Sequence, residues 1–250
     1  MRRDEICRQL RLALEPKEEI LALWLEGADA LDRVDEYSDL DICVSVTEGS
    51  MDSAELIIRR VLCEFSDLDH ELVSQRSSDR RHLISHLAGT SVHALIDIDI
   101  LVACGSEFFK DDPIEAPKVL FDKARVITFD VKNISGDELL AELDGLDKII
   151  NEHSRVEKYI LRGEFLEAFG YYQKFVLTPL VQLASLVHTQ NHHGYYIVHI
   201  SRHLPESLLG QLEDLIKISA LKTLEENLGI ALSVYKKLAV ELRKVHSPYH

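Results

Sequence analysis

Two aspartates open one apolar run in this chain, and two more interrupt another. In "EYSDLDICVSV" (Glu36–Val46), Asp39 and Asp41 stand at the mouth of Ile42-Cys43-Val44-Ser45-Val46. In "SVHALIDIDILVA" (Ser91–Ala103), Asp97 and Asp99 break a second such run. Runs this apolar read as strands buried on both faces, where an ionised carboxylate is costly unless something neutralises it. Period-two geometry sets Asp39 and Asp41 side by side on one face, and Asp97 and Asp99 likewise. Acids held that close repel unless a divalent cation bridges them. Mg2+ sites for phosphoryl chemistry are built from a few carboxylates plus substrate phosphates, so a third acid is expected. Asp97 is the preferred third ligand, with Asp99 in reserve.

Other constellations are weaker. "SDLD" recurs at Ser66–Asp69, but there Asp67, Asp69 and Glu71 alternate with Leu68, His70 and Leu72, the pattern of a strand with one wet face. "VHTQNHHGYYIVHISRH" holds His188, His192, His193, His199 and His203. With no cysteine nearby, a structural zinc is not expected. The chain contains neither a G-x-x-x-x-G-K-[ST] loop nor a G-x-S-x-G elbow.

The elements that must position the acids can be traced along the chain. "RRDEICRQLRLAL" has Ile6, Leu10 and Leu14 on one helical face, closed by Pro16, and "EILALWLEG" (Glu19–Gly27) is a short buried strand ending in glycine. "MDSAELIIRRVLCEF" is a helix with a cap-like start at Asp52 or Ser53. Extended stretches follow at 68–73, 82–87 and 92–102. After a polar, proline-bearing stretch up to Asp137, almost everything reads as helix: 137–159, 162–187, 205–218 and 221–245, with Pro179 kinking or splitting the second. The expectation is an α+β chain, with a mixed-sheet domain over 1–132 and an all-helical domain over 133–250.

Composition bounds the function. There are 28 Lys plus Arg against 43 Asp plus Glu, a net charge of −15, and such a field works against docking on a phosphate backbone. No nucleic-acid partner is expected; a small-molecule acceptor, particularly a cationic one, suits the charge. Cys7, Cys43, Cys63 and Cys104 form no C-x-x-C pair, which favours reduced thiols. No apolar run reaches membrane-spanning length and the start lacks a signal-peptide core, so the expectation is a cytoplasmic protein with no membrane partner.

"EGADALDRVDEYSDLDICV" resembles the signature of the DNA polymerase beta nucleotidyltransferase superfamily: a glycine turn, a gap of about ten residues, then Asp-x-Asp opening a strand. "HALIDIDIL" resembles the later strand carrying the third metal-binding carboxylate. "GEFLEAFGYYQKFVLTPLVQL" and "ISRHLPE" resemble the helical domain of antibiotic-type (aminoglycoside and lincosamide) nucleotidyltransferases and their bacterial relatives.

The resemblance implies transfer of a nucleoside monophosphate, AMP foremost, from an NTP such as ATP to a hydroxyl of a small molecule. Two Mg2+ ions would be held by Asp39, Asp41 and Asp97. Gly27, Ala28 and Ser38 would meet the nucleotide, and a helical-domain glutamate, Glu164 or Glu167, would serve as general base. Some relatives complete their cleft in a homodimer. This chain departs from the family pattern in having Gly27-Ala28 where Gly-Ser is usual, and Asp32 where a second glycine is frequent. A non-catalytic ligand-binding protein on the same fold is therefore the alternative, and a protein acceptor a third reading. On the helix carrying the two glutamates, Phe165, Phe169, Tyr172 and Val176 form a core stripe. Glu164, Glu167, Tyr171 and Lys174 form the opposite one, which reads as a solvated face.

Overall fold

The computed structural model describes residues 3–35, 37–88, 95–102, 116–128, 134–189 and 200–246. The chain divides into two compact units, Met1–Val131 and Lys132–His250.

The first unit is built on a six-stranded sheet. Helix α1 (Arg3–Leu14) leads into β1 (Ile20–Leu25), the short α2 (Gly27–Ala30) and β2 (Leu40–Val46). Helix α3 (Met51–Cys63), β3 (Leu68–Arg76), β4 (Arg80–Leu87), β5 (Leu95–Val102) and β6 (Lys118–Asp122) follow. The spatial order is β3-β4-β5-β2-β1-β6. Strands β2 and β5 run parallel, and all other pairings are antiparallel. One face is covered by α1 and α3, whose Ile6, Leu10, Leu14, Ala54, Ile58 and Leu62 are at most 1% exposed. They pack on Leu23, Leu25, Ile42, Val44, Val46, Ile98 and Ile100. Burying side chains of this kind stabilises by roughly 1.5–3 kcal/mol each, which is why the odd and even residues of β2 and β5 cannot exchange faces.

The opposite face carries a much smaller apolar cluster of Ala22, Trp24, Cys43 and Leu101, with Val126 and Ile127 beside it. The Asp122 carboxylate accepts from the backbone N–H groups of both Val126 and Ile127, each at 3.0 Å, and so folds the chain after β6 back on itself. Strand β3, which carries the second "SDLD", is an edge strand; the side chains of residues 69–76 lie outside the described residues. Strand β6 falls inside the stretch expected to be a polar boundary. It is the other edge, and only Phe121 of its five residues is buried, so it lacks the apolar run by which a central strand is recognised.

The second unit is helical. It comprises α4 (Gly136–Ile150), a 3-10 turn (Asn151–His153), α5 (Ser154–Arg162), α6 (Phe165–Tyr172), a π-helical segment (Gln173–Leu177), α7 (Thr178–His188), α8 (Ile200–His203), α9 (Glu206–Ile216) and α10 (Leu221–His246). Ser135 caps α4 in a reciprocal box with Glu138. The expected break at Pro179 takes the form of the π segment just before it, because proline removes an N–H and crowds the preceding turn. The core gathers Leu143, Tyr172, Leu180, Leu183, Leu224 and Ala231. Buried Asn227 donates to the carbonyls of Asp214 (3.3 Å) and Leu215 (3.2 Å), satisfying the end of α9.

Candidate active site

Parallel pairing of β2 with β5 sets Asp41 opposite Asp97 and Cys43 opposite Asp99. Since Ile42, Val44, Ile98 and Ile100 fill the core beneath α1 and α3, both acids of β5 share with Asp41 the less covered face. Asp39 is exposed in the loop before β2. The structure thus brings Asp41 and Asp97 together on neighbouring strands, with Asp39 two residues upstream.

The electrostatics follow from this crowding. Burial first, then the charges of Asp97, Asp39 and Glu26, push the Asp41 carboxyl up to about 6 from an ordinary 3.8, with Arg3 opposing. Asp97 is also raised, chiefly by burial and with Asp99 adding, while His82 and Arg80 pull the other way. His82 Nε2 lies 2.5 Å from Asp97 Oδ1. Glu26, at the end of β1, is a further acid that the sequence pattern did not single out. Its carboxylate accepts from Trp24 Nε1 at 2.8 Å and from the Cys43 thiol, and burial raises it. Its backbone N–H donates to the Asp41 carbonyl at 3.1 Å. The only signal in the sequence was an acid at the closing end of an apolar strand.

Asp99, the reserve ligand, has a different role. Arg80 Nε and Nη2 donate to its two oxygens at 2.8 and 2.7 Å, a bidentate pair that satisfies both carboxylate edges. In this structure Asp99 is therefore held by Arg80.

Gly27 has φ +58, and a Cβ added there would fall 2.1 Å from Asp41 Oδ2. Glycine is required both for the left-handed backbone and for the close approach of the turn to the carboxylate. Asp32, where the resemblance expects a second glycine, has φ +54; the left-handed turn is kept, and aspartate tolerates it better than most residues. Asp32 is exposed, while Asp29 of the same turn is 7% exposed and paired with Arg3. The Ser38 hydroxyl donates to Asp35 Oδ1 and accepts from the Asp35 N–H, both at 2.9 Å, so it is spent on shaping its own loop. Ala28 offers a backbone but no hydroxyl.

Glu164 and Glu167 are exposed on the second unit, Glu164 at the N-cap position of α6. Their stripe is not wholly solvated as expected. Tyr171 is half-buried and stacks on Tyr159 (5.1 Å between centroids) and on Phe175 (5.6 Å). His188 and His203 are exposed, and His192, His193 and His199 lie outside the described residues.

Among the described residues, no group of three or more acid, histidine or cysteine side chains could hold a metal ion unaided. What the donor set fits is a hard cation that keeps several ligands from elsewhere. Asp41 and Asp97 are two oxygen donors whose mutual repulsion a cation relieves, and Mg2+ commonly takes one or two carboxylates plus substrate phosphates.

No family model matches this chain, and no curated protein matches it. Among solved structures it is similar to an aminoglycoside 6-adenyltransferase from Bacillus subtilis (17% identity, 97% of this chain and 90% of that one, TM-score 0.39). It is also similar to a spectinomycin adenyltransferase from Enterococcus faecialis (12%, 96% and 97%, TM-score 0.32). A third is a nucleotidyltransferase-like protein from Exiguobacterium sibiricum (12%, 94% and 75%, TM-score 0.39).

Proposed function

We propose that this protein is a nucleotidyltransferase that moves a nucleoside monophosphate from an NTP, ATP first among them, to a hydroxyl of a small-molecule acceptor. The observation that carries it is the register of β2 on β5, which pairs Asp41 with Asp97 on one face beside a turn where only Gly27 fits.

Asp41 and Asp97, with Asp39 nearby, would hold Mg2+. Bound there, Mg2+ supplies positive charge that neutralises the triphosphate and the developing negative charge of the transfer. Gly27 and Ala28 give the triphosphate an approach to bare backbone. The acceptor oxygen forms a bond to the α-phosphorus as the bridging bond to the β-phosphate breaks, and pyrophosphate leaves with the electron pair. The hydroxyl proton goes to a general base. Most of what the chain contributes is positioning and charge placement.

The rival is a ligand-binding protein that has lost transfer. It is favoured by the missing hydroxyl at Ala28 and by the acid Asp32 on the glycine turn. Incubation with α-labelled ATP, Mg2+ and a panel of hydroxyl acceptors separates the two. The transferase moves label to an acceptor, and Asp41→Asn abolishes the movement; nucleotide binding without label transfer for any of the four NTPs establishes the rival.

A further inference from the structure

The two segments that bear the candidate site, the turn at Gly27 and the loop entering β2, are joined by one side chain that neither segment contains. Arg3 reaches down from the first turn of α1, its side chain only 12% exposed. Nη1 donates to the carbonyl of Ser38 at 2.6 Å and Nη2 to the carbonyl of Asp39 at 2.5 Å. Nη2 also pairs with the buried carboxylate of Asp29, two residues beyond Gly27. The helix that presents it is fixed separately, because Ile6, Leu10 and Leu14 are at most 1% exposed in the sheet core. A planar guanidinium with several donors in a rigid fork suits three acceptors on two strands of backbone; a lysine ammonium does not reproduce that geometry.

We propose that Arg3 is a positioning residue for the site: it clamps the Gly27 turn to the Asp39–Asp41 entry, so that the backbone meeting the triphosphate and the acids meeting the cation are held at a fixed separation. The consequence for ligand capture rests on the transferase reading, whereas the clamp itself does not.

The amides of Glu26, Leu31, Arg33 and Ser38 are all hydrogen-bonded within these two segments and report on it by hydrogen exchange. Arg3→Met alone would strand the Asp29 charge, so the informative variants are Asp29→Asn, which keeps the bonds to both carbonyls, and the double variant Arg3→Met/Asp29→Asn, which loses them without burying a lone charge. In the double variant the four amides are expected to exchange at least tenfold faster, with the β1–β2 ladder within twofold of wild type. Asp29→Asn should stay within threefold, and Arg3→Lys should fall between. Binding of Mn2+ with ATP, followed by electron paramagnetic resonance, should weaken at least tenfold in the double variant and less than threefold in Asp29→Asn. Unchanged exchange in the double variant, equal acceleration in Asp29→Asn, or loosened segments with unaltered Mn2+·ATP affinity would each overturn the role of Arg3. A wild-type protein that binds no Mn2+·ATP counts against the proposed activity instead, and the exchange rates then decide for Arg3 by themselves.

Discussion

Asp41 is a residue the metal-free fold would be better without. Its carboxyl is pushed up to about 6, first by burial and then by Asp97, Asp39 and Glu26, so the folded state prefers it protonated. For a group raised on folding, the contribution to stability is complete below the unfolded value near 4 and is lost as pH rises through about 6. Metal-free protein should therefore lose stability between pH 4 and pH 7 through this group. At pH 7, Asp41→Asn should melt higher than wild type, by about 1–3 kcal/mol, while losing transfer; denaturant melts with chelator present check the first part. Gly27→Ala should do the reverse. Its Cβ would sit 2.1 Å from Asp41 Oδ2 on a φ of +58, so it should cost about 1–3 kcal/mol in stability and weaken nucleotide binding as well.

At the scale of elements, the site depends on β4 answering β5. Arg80 and His82 lie on the acid face and each takes one aspartate, Arg80 with Asp99 and His82 with Asp97. Arg80→Met should leave Asp99 unpaired with its side chain 12% exposed, at a cost of about 2–3 kcal/mol measured by chemical denaturation. The sequence announced β2 and β5 through their apolar runs, and the period-two rule put their acids on one face; the parallel register that pairs Asp41 with Asp97 was not written in either strand alone. It is fixed by nonlocal packing of Ile42, Val44, Ile98 and Ile100 under α1 and α3. Long-range partners such as Arg3 with Asp29 and Arg80 with Asp99 left no local pattern, so neither ion pair was foreseen. Strand β6 was illegible because an edge strand with one buried residue looks like a loop. The helical unit was easier, since periodicity and Pro179 are local signals, although Tyr171 in its aromatic stack read as a solvated position.

For the molecule as a whole, a net charge of −15 adds a field to the local chemistry. A field of that sign favours cations over anions, so on the proposed function a triphosphate should be captured far better with its divalent cation than without. Association of a cationic acceptor should slow about tenfold between low and physiological salt, whereas a neutral acceptor should be insensitive, as stopped-flow binding can test.

On the proposed function, acids from β2 and β5 share one divalent cation. Anomalous diffraction from crystals soaked with Mn2+ and a non-hydrolysable ATP analogue tests it most directly. A manganese peak is expected about 2.1 Å from carboxylate oxygens of both Asp41 and Asp97, with phosphate oxygens completing its shell. A bound nucleotide whose manganese touches neither aspartate, or only one of them, would contradict it.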